Sequence, residues 1–134
     1  MPRSIDKSAL AQLESLDSQA RYEYLVEQLI ENQQVWILSD KAGFVLLNSD
    51  GQDCLPVWPH SEAASEWVKG DWKACSPQAI ALDVWQERWT AGLIEDKFYI
   101  ATFPNQAEEA LVIEAGDFDE DLSNAAIDIK KKDN

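Results

Sequence analysis

Apolar residues recur along this chain with two periods, and the periods divide it into helices and strands. After Asp17, residues Tyr22, Leu25, Val26, Leu29 and Ile30 fall three and four apart on one stripe, and Glu23, Glu27, Gln28 and Glu31 lie off it. Asp17 or Ser18 is placed to cap this helix, which is expected to end near Asn32. A shorter helix capped by Ser8 precedes it, with Leu10, Leu13 and Leu16 at helical spacing. Val35-Trp36-Ile37-Leu38 and Gly43-Phe44-Val45-Leu46-Leu47 are apolar at nearly every position, which suits strands covered on both faces. The link between them is of hairpin length, and Gly43 can take a positive φ. A second turn, Asn48 to Gly51, brings a strand over 54–58 alongside and completes a three-stranded meander. Ser61 is expected to cap a helix over 62–69 that turns Ala63, Ala64, Trp67 and Val68 inward and stops at Gly70. Residues 77–82 are extended in part. Asp83, with Gln86 three residues on, opens a helix whose inner face is Val84, Trp85, Trp89 and Leu93. Residues 97–103 alternate as a strand, Pro104-Asn105-Gln106 turns, and Leu111-Val112-Ile113 returns. Asp117 and Glu120 start a last helix that carries Phe118, Leu122, Ala125, Ala126 and Ile129 inward, with Lys130, Lys131 and Lys132 at its end.

The order ααβββααββα predicts an α+β fold with an antiparallel or mixed sheet of about five strands and helices mainly on one face. The 134 residues suit a single domain over 1–134, with frayed ends at 1–6 and 131–134.

The stretch Asp53-Cys54-Leu55-Pro56-Val57-Trp58-Pro59-His60 stands apart from this pattern. Pro56 has no N–H for a ladder, which confines the strand to an edge or a bulge, and Pro59 ends it. Trp58 is thereby expected at the rim of a sheet beside the one histidine of the chain, partly exposed, with His60 more exposed still.

Composition narrows the function. The net charge of −14 opposes binding to a phosphate backbone or an anionic membrane and is compatible with a basic partner. No apolar run approaches the ~18 residues of a membrane span. The N-terminus has no apolar run behind Arg3, so it is not a signal peptide and the protein reads as cytoplasmic. Cys54 and Cys75 lack metal-ligand spacing and read as reduced, packed thiols.

No catalytic template is complete, and no cofactor or metal is expected. The five glycines are isolated, so no phosphate-cradling loop is formed. A Cys54–His60 nucleophile pair would be roughly 20 Å apart on a strand. Asp40, Asp50 and Asp53 lack the spacing of a calcium loop. The unusual feature is six tryptophans. Trp36, Trp67, Trp85 and Trp89 sit on inferred apolar faces. Trp58 and Trp72 sit at a corner and in a loop, either as binding anchors or as rings closing the end of the core with their N–H groups on carbonyls.

The chain resembles a known family. Arg21-Tyr22-Glu23-Tyr24 with its helix, Val35-Trp36-Ile37-Leu38, the Leu55-Pro56-Val57-Trp58-Pro59 corner with Trp67, Ala79-Ile80-Ala81-Leu82-Asp83 with Trp89 and Leu93, and Ala101-Thr102-Phe103-Pro104 look like the bacterial family called domain of unknown function 2750, over about residues 17–121. The resemblance implies a small stand-alone intracellular α+β protein and carries over no activity and no catalytic residue. Leu55 to Leu93 is also similar to the N-terminal domain of the enhanced-serine-sensitivity protein SseB.

The residues therefore point to a non-enzymatic binding or regulatory domain. It would use Trp58, His60, Trp72 and Asp53 to hold a protein partner or a second copy of itself. The rival is an enzyme with a pocket near His60 and carboxylates such as Asp53 and Glu62.

Overall fold

The structure is a computed structural model. It describes residues 6–41, 43–49, 51–105 and 109–132, without the side chains of Ser49, Asp71 and residues 128–132. The turn residues Ala42, Asp50 and Gln106 lie outside the described residues, as do the side chains of Ile129 and of Lys130 to Lys132.

Two helices open the chain, α1 (Lys7–Glu14) and α2 (Ser18–Asn32). Asp6, expected in a frayed end, caps α1 in place of Ser8 by accepting the Ala9 N–H at 2.8 Å. Asp17 caps α2 in the same way through Ala20. A carboxylate satisfies an otherwise orphan donor and also faces the positive end of the helix. Helix α2 stops where Gln33 turns left-handed at φ 57°. Its inward stripe is longer than the apolar pattern, because Arg21 is buried with Tyr22, Leu25, Val26 and Leu29.

Among the described residues there are seven strands, and they form two sheets rather than one. The first sheet has the order β2-β1-β5, from β1 (Gln34–Asp40), β2 (Gly43–Phe44) and β5 (Ser76–Ala81), all antiparallel. The second has the order β3-β4-β6-β7, from β3 (Leu47–Ser49), β4 (Gln52–Val57), β6 (Tyr99–Thr102) and β7 (Leu111–Glu114). Within it β4 and β6 are parallel and the other pairs antiparallel. The expected meander fails at Val45-Leu46, where the chain leaves the first sheet and joins the second.

Pro56 supplies the reason. The Val57 carbonyl accepts from Phe103 N on the β6 side, whereas Trp58 exchanges both its backbone bonds with Trp36 on the other side. Backbone groups alternate along a strand, so Pro56 shares the Trp58 side. A ladder along β1 would need a donor there. The β3 ladder ends at Leu47 opposite Cys54, so the missing N–H falls in the gap between β3 and the Trp36–Trp58 bridge. The strand is an edge at that one position and an interior strand elsewhere.

The helices also shift. Helix α3 (Ser61–Ser65) is shorter than expected, and His60 rather than Ser61 precedes it, without a side-chain cap. A 3-10 turn (Gly70–Trp72) then leads into β5. Next α4 (Leu82–Val84), a π turn (Trp85–Trp89) and α5 (Thr90–Glu95) run on as one rod. Asp83 is not its N-cap. Ala81 holds that place because Leu82 is still tied to the sheet through Gln33 O at 2.9 Å, and Asp83 accepts from Val84 inside the first turn. The last helix, α6 (Ala115–Lys132), buries Ala115, Phe118 and Leu122.

Arg21 ties the N-terminal helices to the far end of the second sheet. Its Nε donates to Phe103 O at 3.0 Å, and Nη2 donates to Glu109 O at 2.8 Å and to Ser18 Oγ at 3.1 Å. Nη1 donates to Leu16 O. Phe103 is left-handed at φ 50°, a costly conformation for an aromatic residue. Its N–H bonds Val57 and its carbonyl bonds Arg21, so both of its backbone groups hold it there. The position had a sequence signal, since Arg21 lies one turn before Leu25 on the buried stripe. Arg21→Met should lower stability by about 1–3 kcal/mol, because it strands the buried Phe103 carbonyl. Urea unfolding tests this, and a loss below about 1 kcal/mol would show that the fork does not hold the β6–β7 connection.

Candidate functional site

The corner is a junction inside the core rather than a rim. Trp58 is 0% exposed and His60 4% exposed, against the expectation that both would show. The cause is the second sheet, which continues past the corner through β6 and covers the side that a single sheet would leave open. Trp58 packs on Trp67 with ring centroids 5.9 Å apart, and Trp67 stacks on the half-buried Trp72 at 5.0 Å. Asp53 is exposed on the β3–β4 hairpin, five residues from Trp58 and so about 16 Å along the strand. Trp58, His60 and Trp72 share one end of the molecule, and Asp53 is not brought to it.

The indole N–H groups of Trp58, Trp67 and Trp85 meet no acceptor among the described residues, so Trp58 closes the core without the carbonyl that one of its two expected roles gave it. Ring burial outweighs the loss. An unpaired N–H costs about 1–3 kcal/mol. Hiding the roughly 150–250 Å² of such a side chain is worth about 4–6 kcal/mol.

His60 is held by its surroundings. The Tyr24 hydroxyl is 2.7 Å from His60 Nε2 and the two rings are 5.7 Å apart. The phenol is the better donor, so we assign Nε2 as acceptor and Nδ1 as protonated. Burial pushes the imidazole below its ordinary pKa, and Glu62 and Glu31 oppose that without reversing it. Burial likewise pushes the Tyr24 phenol up, aided by Glu27 and Glu31. A cavity next to this pair is lined by Asp6, Lys7, Leu10, Ser61, Glu62, Ser65 and Glu66, without His60. Cys54 stands within β4, three residues before that strand ends. Both cysteines are buried and form no disulfide, and burial raises the Cys75 thiol, with Asp40 adding to the shift.

Aromatic surface is open elsewhere. The π turn sets the Trp85 and Trp89 rings parallel, 5.7 Å apart and 12° from coplanar. Thr90 Oγ1 donates to Trp85 O at 3.1 Å, the carbonyl that also accepts the Thr90 N–H across the wide turn. Trp85 faces inward against Phe118, and Trp89 is half-buried and meets Phe44 at 5.3 Å. Phe44 is 41% exposed and Ile94 53%. Phe44, Arg88, Trp89, Gly92, Asp96 and Phe98 line a groove of about 260 Å³, and a second hollow begins on the far side of Phe98 with Ile94, Lys97 and Tyr99. Sequence reasoning placed Trp89 on an inner face and missed the groove. Trp85 and Trp89, four apart and stacked, share one face of the rod, and Trp89 stands at the outer margin of that face beside the exposed Phe44.

Two outcomes follow at the corner. Trp58→Ala should cost about 3–5 kcal/mol, the range for an enclosed aromatic, and thermal unfolding reads it. His60 adds a pH dependence. The unfolded imidazole protonates near 6.5, and the folded one only at lower pH. Stability from this group is therefore complete above about pH 6.5 and is lost as pH falls from there through the folded value. Urea titrations of wild type and His60→Gln at several pH values should diverge in that window, and parallel curves would refute the assignment.

Among the described residues, no helix is long and apolar enough to cross a membrane. No curated protein matches the chain. One family model, described as protein of unknown function (DUF2750), matches residues 22–122 and so spans α2 through the first turns of α6, including both sheets, the corner and the groove. The chain belongs to the DUF2750 family.

Proposed function

We propose that this protein is a non-enzymatic binding domain that holds a protein partner at the aromatic groove between β2 and α5. One observation carries the reading. Phe44, Trp89 and Phe98 converge on an open groove with a cation, Arg88, and an anion, Asp96, at its rim. Tryptophan and arginine are the residue types that dominate binding energy at protein interfaces, and a wet, charged rim around an apolar floor is the usual arrangement there. The partner would insert apolar side chains between Phe44 and Trp89 and pair its polar groups with Arg88 and Asp96. A net charge of −14 favours a partner of basic character and disfavours nucleic acid. Two thiols without a disulfide suit the cytoplasm.

The corner contributes differently from the sequence expectation. Trp58 and His60 hold the fold in register, and Trp72 and Asp53 have no aromatic groove between them. An enzyme centred on His60 would need the imidazole to reach a substrate, and the ring is enclosed against Tyr24.

Pull-down from a native lysate with wild type, Trp89→Ala and Trp58→Ala tests the reading. Trp89→Ala should change stability by less than about 1.5 kcal/mol and lose the retained protein. Retention of the same protein by Trp89→Ala and Phe98→Ala alike would remove the groove as the binding surface.

A further inference from the structure

Each sheet has two outer strands, and three of the four are blunted by length. Strand β2 has two residues, β3 three, and β7 four, ending in Glu114. Strand β5 has six, Ser76 to Ala81, and none is charged, in a chain where 27% of residues are. Native edges are usually kept short, charged or covered, because an open row of N–H and C=O groups templates another strand. Helix α3 does not cover this edge, since it packs against both β1 and β5 and so lies across the sheet face. Ser76, Gln78, Ala79 and Ala81 are exposed.

The direction of the free groups follows from the pairing. Leu82 N–H bonds Gln33 O, and Leu82 and Ile80 share one direction, toward β1. Pro77, Ala79 and Ala81 alternate with them, so their backbone groups point away from β1. This edge offers two donors, Ala79 and Ala81, because Pro77 has none.

We propose that β5 pairs antiparallel with β5 of a second copy, joining two three-stranded sheets into one of six strands. The two-fold axis passes between Ile80 and its equivalent, with Ala79 opposite the partner copy's Ala81. In that register both free donors of each copy meet a carbonyl, and Pro77 overhangs the end of the ladder. Sliding the strands to bring Pro77 into the ladder would set its ring against a carbonyl, so the proline selects the register. The half-buried Trp36 stands on β1 directly beside Ala79 on the same face. Its exposed part therefore borders the seam, over alanines small enough to leave it room.

Symmetry argues for a second copy, since in this register the same two donors and two carbonyls of β5 face each other on both chains. Each chain carries a net charge of −14, and the uncharged β5 sets no like charges against one another along the seam. The contact lies on the opposite edge of the first sheet from Phe44, so it leaves both grooves open and does not depend on the binding reading above.

Sedimentation and amide exchange test it on the intact chain. Wild type should reach twice the 15.1 kDa chain mass as concentration rises, with exchange of the Ala79 and Ala81 amides slowing by at least about tenfold. Association should strengthen between about 0.05 and 0.5 M salt, as screening weakens like-charge repulsion. Ala79→Pro removes a donor that has no partner among the described residues and should give 15.1 kDa particles that keep the wild-type circular dichroism. A wild type of single-chain mass at every concentration with fast Ala79 and Ala81 exchange would overturn the proposal. So would a dimer that salt weakens, or one that Ala79→Pro leaves intact. Trp89→Ala should still dimerise, which separates failure here from failure of the groove.

Discussion

The two sheets of this protein meet through a single pair of residues. Trp36 and Trp58 exchange two backbone hydrogen bonds, 3.2 and 2.9 Å long, and no longer ladder joins the first sheet to the second. Pro56 forbids a ladder on one side of the bridge, and on the other the chain bends at Pro59 and His60 into α3. The junction can be this narrow because its flanks are filled with side chains. Trp58 packs on Trp67, Val57 and Leu55 are fully buried, and α3 brings Ala63 and Ala64 against the first sheet. Side-chain packing, more than backbone pairing, fixes how the sheets meet.

The same economy explains why the tryptophans divide as they do. Three rings are enclosed although their N–H groups go unpaired, since the area term exceeds the hydrogen-bond term by a few kcal/mol. Trp89 differs because it stands at the outer margin of the face that it shares with the stacked Trp85, where its other neighbour is the exposed Phe44.

Much of the local structure was legible in the sequence. The stripe from Tyr22 to Ile30 gave the extent of α2, the Asp17 cap is where the pattern put it, and Gly43 has the positive φ that its turn required, at 132°. The α+β class is also as read. The partition into two sheets was hidden, because runs such as 43–47 are apolar throughout and do not say which neighbour they join. The exposure of the corner was misread for a related reason. Prolines mark where a strand loses partners, and they do not say what else covers the gap. The groove left no trace in periodicity, since the spacing put Trp85, Trp89 and Leu93 on one inner face and does not say that Trp89 stands at its outer margin.

The Arg21 fork joins residue 21 to carbonyls at 103 and 109. A ribosome releases the guanidinium long before those carbonyls exist, so most of the chain is made while the charge has only its local partners, Leu16 and Ser18. Until residue 109 emerges, burying that end of α2 would enclose a cation without its full set of acceptors. The N-terminal helices must then stay loosely docked during synthesis, and the fold closes on them last. A chain cut short before the β6–β7 connection would bury the guanidinium with only its local partners, a destabilising arrangement that makes the arginine a check on completeness as well as a clamp.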